Sequence, residues 1–349
     1  MQTTDAANTV PVTILTGFLG SGKTTVLNRL LKLPSLVDTA VIVNEFGSVG
    51  LDHLLIEQAI EDAVLLKNGC ICCTVRGDIA DTLDLLWERR ERGLLPPFRR
   101  VAIETTGLAD PAPVAHALLA EPQARYACRL DGIVTTVDAL HGPMQIERYP
   151  EARRQVAMAD RVLLTKTDLV GDVEVRRVRA MIGALNAAAL VRPVINGDVA
   201  AGDVFDLSPG AGVDVARVPQ WLGSIDENLH HGHQHFPFRH GDDISSITLR
   251  CDGPIEWEKL RTWLQSVLSL RGDRVLRLKG LVHVVGHDQP VVLQGVHHVL
   301  HAPVFYSKPL QGGTRIVLIT RGLSAEGLRA AFAAVTPPAA QMRSARTGG

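Results

Sequence analysis

Aromatic residues are scarce, at 4% of the chain, and charge of either sign is balanced to a net −1 with acids and bases interspersed. Such a balance leaves no electrostatic footprint for a polyanion, which excludes nucleic acid as a partner. Long hydrophobic runs are missing as well: no uninterrupted apolar stretch approaches the ~18 residues that a spanning helix needs. Residues 1–9 lack the basic segment and apolar stretch of a secretion signal, so no membrane partner is expected and the cytoplasm is the expected compartment. A disulfide framework is also absent. The five cysteines are odd in number, and Cys70, Cys72 and Cys73 crowd together, a pattern that suits reduced thiols. What is present is ordinary globular material, 46% apolar and 21% charged over 349 residues. That length exceeds the roughly 250–300 residues at which one core stops growing, so two domains are predicted.

From residue 10 onward, short β-branched runs alternate with longer helical patterns. Residues 10–15, 40–43, 101–103, 132–137 and 161–164 read as strands, and 77–92, 147–159 and 173–190 as helices. The alternation predicts an α/β domain, a P-loop NTPase with a parallel sheet flanked by helices, over 10–200. Residues 1–9 read as a flexible start. Between 201 and 243 the pattern decays into Gly, Pro, Asp and His and reads as a linker. Periodicity returns over 244–336 with strands at 244–249, 275–285, 291–299 and 315–319 and helices at 257–268 and 325–334. This predicts a smaller α+β C-terminal domain with a mostly antiparallel sheet, followed by a flexible tail at 337–349. Cys128 and Cys251 read as core.

Gly17, Phe18, Leu19, Gly20, Ser21, Gly22, Lys23 and Thr24 fit a phosphate-binding loop, and they follow a strand and open a helix as such a loop must. Glycines let backbone N–H groups turn inward on phosphates, and the helix N-terminus adds its positive dipole end. Lys23 is expected to reach the β and γ phosphates, Thr24 to offer its hydroxyl to Mg²⁺, and Thr25 to complete the nucleotide-binding set. Glu104 ends an apolar strand and is the expected carboxylate of the Mg²⁺ shell. Gly107, three residues on, is a candidate switch glycine at the γ-phosphate. The loop Thr165, Lys166, Thr167, Asp168 follows another apolar strand in the position of a base-selecting loop. Asp168 can accept hydrogen bonds from guanine N1 and its exocyclic amine, which adenine cannot match, while Lys166 lays its stem along the base. An ATP-dependent kinase is disfavoured on the same ground.

Closely packed thiolates at Cys70, Cys72 and Cys73 are natural ligands for soft or borderline ions, with Glu45 able to lend a carboxylate. Redox-reactive cysteines and a purely structural metal knot are the competing readings. His231, His233 and His235 read either as auxiliary metal capture or as an inert polar loop.

In combination these residues resemble the CobW-like GTPases, a family that includes zinc metallochaperones and proteins linked to cobalamin synthesis and nitrile hydratase activation. The resemblance rests on residues 17–25, 44–47 and 69–73, on 104–107 with Asp110, and on 165–168. In the second domain it rests on Arg271, Gly272 and Asp273 with Arg277, Lys279 and Gly280. Two positions depart from the pattern: Thr165 stands where many GTPases have Asn, and Ser48 where some relatives carry a second acid. The resemblance implies hydrolysis of GTP to GDP with Mg²⁺; no residue reads as an arginine finger or a water-positioning glutamine, so turnover is expected to be slow without a stimulating partner. The resemblance further implies zinc or cobalt held at Cys70, Cys72 and Cys73, and delivery to a client apo-metalloprotein. Self-association is left open, and the competing function is a nucleotide-independent zinc buffer.

Overall fold

The computed structural model describes residues 9–44, 64–65, 71–75, 79–120, 128–208, 244–301, 303–306 and 313–337. The expected flexible ends, apart from Thr9 and Pro337, and the linker beyond Ser208 lie outside the described residues. Two compact units emerge, one built mainly from Asp5–Gly183 and Ala189–Ser208 and the other mainly from Pro209–Gly349.

The first unit is the expected α/β layer. Its strands are β1 (Val10–Gly17), β2 (Thr39–Asn44), β3 (Val64–Leu65), β4 (Ile71–Val75), β5 (Arg100–Glu104), β6 (Cys128–Asp138), β7 (Arg161–Thr165) and β8 (Leu190–Val194). They form one sheet in the order β3-β4-β2-β5-β1-β6-β7-β8. Apart from β3, which runs antiparallel to β4, every pairing is parallel. A parallel sheet is covered on both faces, which is why β6 is buried along its whole length except at Arg129, its polar Asp131, Thr135, Thr136 and Asp138 included. β1 sits in the middle, with β5 on one side and β6 on the other. The loops leaving β1, β5, β6 and β7 therefore gather at one end of the sheet, the crevice where open α/β sheets bind ligands.

The helices are α1 (Lys23–Leu30), α2 (Ile79–Glu91), α3 (Ala112–Ala120), α4 (Gly142–Arg148), α5 (Pro150–Met158) and α6 (Asp172–Leu185). On α1, Val26, Leu27 and Leu30 meet Leu15, Val41 and Val134 of the sheet in one core cluster. Three expectations change here. The helix predicted over 147–159 is two helices, because Pro150 lacks an N–H and its ring forces Tyr149 out of helical geometry, to φ −113° and ψ 121°. The helix predicted to reach 190 stops at Leu185, and β8 follows. Pro193 is tolerated there because β8 is the sheet's edge. Residues 201–208, assigned above to the linker, pack into the first unit instead: Val204 and Phe205 are 1% and 3% exposed within the α1 cluster. Ala201, Val204, Phe205 and Leu207, spaced irregularly among Gly, Asp and Ser, give too little periodicity to mark a core anchor.

The second unit carries β9 (Ile244–Cys251), β10 (Val275–Val282), β11 (Val291–Val296), β12 (Val299–Leu300), β13 (Val304–Phe305) and β14 (Thr314–Arg321), with α7 (Trp257–Arg271) and α8 (Ala325–Ala333). Its sheet is antiparallel in the order β12-β11-β10-β14-β9, with β13 paired to β11. Leu260, Trp263, Leu264 and Leu268 of α7 and Leu328 and Phe332 of α8 pack on one face, the Trp263 and Phe332 rings meeting edge to face at 5.3 Å. Cys128 and Cys251 are buried free thiols, as expected of core residues, and burial pushes Cys128 up to about 12.

Candidate nucleotide and metal site

The loop between β1 and α1 is shaped by its own glycines and by neighbouring strand ends. Gly22 occupies the N-cap of α1 with φ 97° and ψ 16°, a left-handed conformation that a side chain resists. Ser21 fastens the loop from below: its hydroxyl donates to the carbonyl of Phe18 at 2.7 Å and shares a bond with the Thr136 hydroxyl at 2.6 Å. The Lys23 ammonium donates to the carbonyls of Gly17 at 2.8 Å and Phe18 at 3.2 Å, so the cation lies across the loop's concave side. Burial lowers the Lys23 pKa from its ordinary value, and Glu104 opposes that shift through its charge. Thr25 is exposed on the first turn of α1. Phe18 stacks on Tyr149 at the break between α4 and α5, with ring centroids 4.8 Å apart.

Glu104 sits at the carboxyl end of β5 and is 5% exposed. The Thr24 hydroxyl donates to its Oε1 at 2.7 Å. A hydroxyl and a carboxylate this close form an all-oxygen donor pair, the chemistry that Mg²⁺ prefers. Gly107 follows in close contact with the phosphate loop. A Cβ there would lie 2.6 Å from Leu19 Cδ2, 2.8 Å from its nitrogen and 2.9 Å from its Cα, so only glycine fits. Gln155 of α5 reaches across to hold this segment, donating to the carbonyls of Gly107 at 3.2 Å and Ala109 at 3.0 Å.

The turn after β7 completes the ring. Thr165 donates to the carbonyl of Ser21 at 2.7 Å, which fixes the spacing between this turn and the phosphate loop. The smaller hydroxyl thus does structural service at the position where many GTPases carry Asn. Lys166 is left-handed at φ 58° and donates to the carbonyl of Gly20 at 3.0 Å and to Asp138 at 2.6 Å. Asp168 is exposed in the short 3-10 turn that follows. Opposite, across α1, Asn196 and Gly197 adopt positive φ, and a Cβ at Gly197 would lie 2.9 Å from the carbonyl oxygen of Thr25. A cavity of about 520 Å³ opens there, lined by Arg29, Pro193, Ile195, Asn196 and Asp198.

Sequence reasoning missed Thr136, Asp138, Gln155 and the Asn196–Gly197 turn. Asp138 carried a signal, since it ends an apolar strand as Glu104 does; Gln155 inside a helix carried none.

The metal candidates are placed less completely. Cys72 and Cys73, read above only for their thiol chemistry, belong to β4. There Cys72 pairs with Val41 and Cys73 with Ile42, and the neighbouring Val43 pairs with Thr74 on one side and Glu104 on the other. Cys70, Glu45, His231, His233 and His235 lie outside the described residues. Among the described residues no group of three or more His, Cys, Asp or Glu side chains gathers as a metal site, and no helix is long and apolar enough to cross a membrane.

Residues 11–193 match the family described as CobW/HypB/UreG, nucleotide-binding domain, and residues 244–336 match the cobalamin synthesis protein cobW C-terminal domain. The chain is 34% identical over 333 residues to a protein of Escherichia coli K12 named zinc chaperone YjiA, covering 93% of this chain and 98% of that one. It is 31% identical over 278 residues to the zinc-regulated GTPase metalloprotein activator 1 of Schizosaccharomyces pombe, covering 74% of this chain and 66% of the relative. The crystal structure of Zn(II)-bound YjiA GTPase from Escherichia coli superposes with a TM-score of 0.69 at 30% identity, covering 94% of this chain and 99% of the other.

Proposed function

The chain belongs to the CobW/HypB/UreG family, and we propose that it is a GTP-hydrolysing zinc metallochaperone that works in the cytoplasm and hands its ion to a client apo-metalloprotein. One observation carries this reading: the strand of Cys72 and Cys73 and the strand of Glu104 flank β2 on either side, in continuous register. At ~4.8 Å per strand spacing, the thiol strand lies about 10 Å from the carboxylate strand that answers the phosphate loop. A change at Glu104 or Thr24 then has a short, hydrogen-bonded route to the thiol strand.

Each residue's part follows from its chemistry. Backbone N–H groups around Gly17, Gly20, Ser21 and Gly22 cradle phosphates at the start of α1. Lys23, partly desolvated, meets terminal phosphate charge with a cation that donates to the Gly17 and Phe18 carbonyls. Thr24 and Glu104 would hold Mg²⁺, which supplies charge neutralisation on the phosphates when bound. Gly107 gives a main-chain approach to the terminal phosphoryl group without a side chain in the way. Asp168 accepts the guanine N–H donors and Lys166 lies along the base face. Cys70, Cys72 and Cys73, with Glu45, bind zinc as cargo, and cobalt is a second candidate by ligand softness. His231, His233 and His235 supply further capture. Exposed Leu19, Leu108, Leu140, Met144, Leu169 and Val173 lie on loops and first turns at the same end of the sheet, where a partner would cover them. The names of the relatives support the zinc and GTPase parts of this reading.

The test is zinc titration of the purified protein with GDP and then with a non-hydrolysable GTP analogue, repeated on Cys72→Ser. Zinc affinity is expected to differ between the two nucleotide states by about 5- to 150-fold, the usual range of a coupling free energy. Cys72→Ser is expected to lose both the affinity and the difference. Equal retention in both states, with more than one zinc per chain, would instead establish a simple zinc buffer.

A further inference from the structure

Lys166 holds an uncommon backbone conformation for a residue with a long side chain, left-handed at φ 58° and ψ 31°. Two acceptors anchor its ammonium, the Gly20 carbonyl of the phosphate loop at 3.0 Å and Asp138 Oδ2 at 2.6 Å. The first is a neutral dipole; the second is a carboxylate only 1% exposed, at the end of β6. Asp138 is itself held from every side. Its Oδ1 accepts the main-chain N–H of Leu140 at 2.7 Å and of His141 at 3.2 Å, and its Oδ2 lies 3.0 Å from His141 Nδ1. The N–H of Ala139 donates to the carbonyl of Thr165 at 2.9 Å, so the turn that carries the carboxylate is tied to the turn that carries the lysine.

From this we propose that Asp138 is a positioning residue for nucleotide recognition, acting through Lys166. The buried carboxylate draws the ammonium down onto Gly20 and thereby aligns the aliphatic stem of Lys166 before any ligand arrives. A four-carbon side chain otherwise samples many rotamers, and ordering it at the moment of binding costs affinity. Preorganisation places that cost in the fold instead. The charge is what matters. A neutral acceptor at position 138 still receives the Leu140 and His141 N–H groups and still forms the turn, yet it no longer outcompetes water for an ammonium that is one-third exposed. The inference rests on the guanine-nucleotide reading above.

The experiment is a double-mutant cycle on GDP affinity by calorimetry, using the wild type, Asp138→Asn, Lys166→Met and the double variant, with a melting curve for each. Asp138→Asn is expected to weaken GDP binding about tenfold, at the modest end for a charge-assisted bond. In the Lys166→Met background the same change is expected to alter affinity less than twofold, because the group it acts through is gone. Should Asp138→Asn fail to fold, Asp138→Ser takes its place, since a hydroxyl still accepts the turn's N–H groups without charge. Losses that multiply in the double variant would mean that Asp138 acts through the turn rather than through Lys166, and would overturn the proposal; so would a single-variant loss below twofold. A wild type that binds no GDP would overturn the guanine reading along with it, whereas tight wild-type binding with multiplying losses overturns this inference alone.

Discussion

β6 carries a buried aspartate near each end. Asp131, towards its N-terminal end, accepts the Thr13 hydroxyl and the N–H groups of Leu207 and Ser208, with Arg129 at 3.6 Å. Burial pushes its pKa above the usual carboxylate value, and the partial help of Arg129 and those N–H groups does not reverse the shift. At Asp138 burial pushes upward too, but the bonds from Lys166, His141 and the main-chain N–H groups outweigh it and hold the carboxyl below its usual value. The same side chain in the same strand thus does two jobs. At one end it fastens the chain at Leu207 and Ser208; at the other it stays charged because it grips the Lys166 ammonium. The amino end of this strand fastens neighbouring chain, and its carboxyl end holds a cation beside the loop at residues 17–24.

The sharpest way to break that division is to disturb each end and ask which property moves. Phe205→Ala removes the ring buried by the segment that Asp131 fastens, 3% exposed and beneath the Arg100 guanidinium at 5.5 Å. A loss of about 3–5 kcal/mol in unfolding free energy is expected. GDP affinity measured on the folded protein should be unchanged, and a matching loss of affinity would erase the distinction between the ends. Next in size is Gly107→Ala, whose methyl would press on the Leu19 backbone. Here the strain of about 1–3 kcal/mol should fall on the phosphate loop, read as a roughly tenfold or larger loss of nucleotide affinity, with a smaller loss of stability than Phe205→Ala causes.

The smallest effects come from the two aspartates, and their signs differ. For Asp131, with a raised folded pKa, the stabilising contribution is complete below the unfolded value of 3.8 and is lost as pH rises through the folded pKa. Asp131→Asn should therefore raise the melting temperature at neutral pH relative to its value in acid. For Asp138, with a lowered folded pKa, the contribution is complete above 3.8 and is lost as pH falls through the folded pKa. Asp138→Asn should lower the melting temperature at neutral pH and flatten the acid limb. Melting curves taken between pH 3 and 7 on both variants decide it, and limbs that bend the same way would refute the contrast.

How much of this was legible in the sequence depended on whether the chemistry needs contiguous residues. Gly17 to Thr24 lie contiguously between a strand and a helix, and Glu104 ends β5 while Asp168 follows β7, so the place of each in the fold was readable from local pattern. Asp138, Thr136 and Gln155 act across long sequence separations, through contacts that no local spacing records. The architecture was readable for a similar reason, because a sheet buried on both faces writes itself as apolar runs. Its breaks were harder. Apolar spacing continues smoothly through Pro150, and the covalent ring, not the pattern, ends the helix there. Cys72 and Cys73 were read for their thiols alone, while pairing with β2 draws the same residues into a strand. Short runs of this kind are decided by the neighbours they meet.

The aromatic stack of Phe18 on Tyr149 has a practical corollary. The chain holds three tyrosines, and one of them lies face to face with a residue of the phosphate loop. Global fluorotyrosine substitution would give few enough resonances to assign by single replacement, and the line from position 149 is shielded by the neighbouring ring. Its chemical shift would report the loop's posture in solution, ligand by ligand.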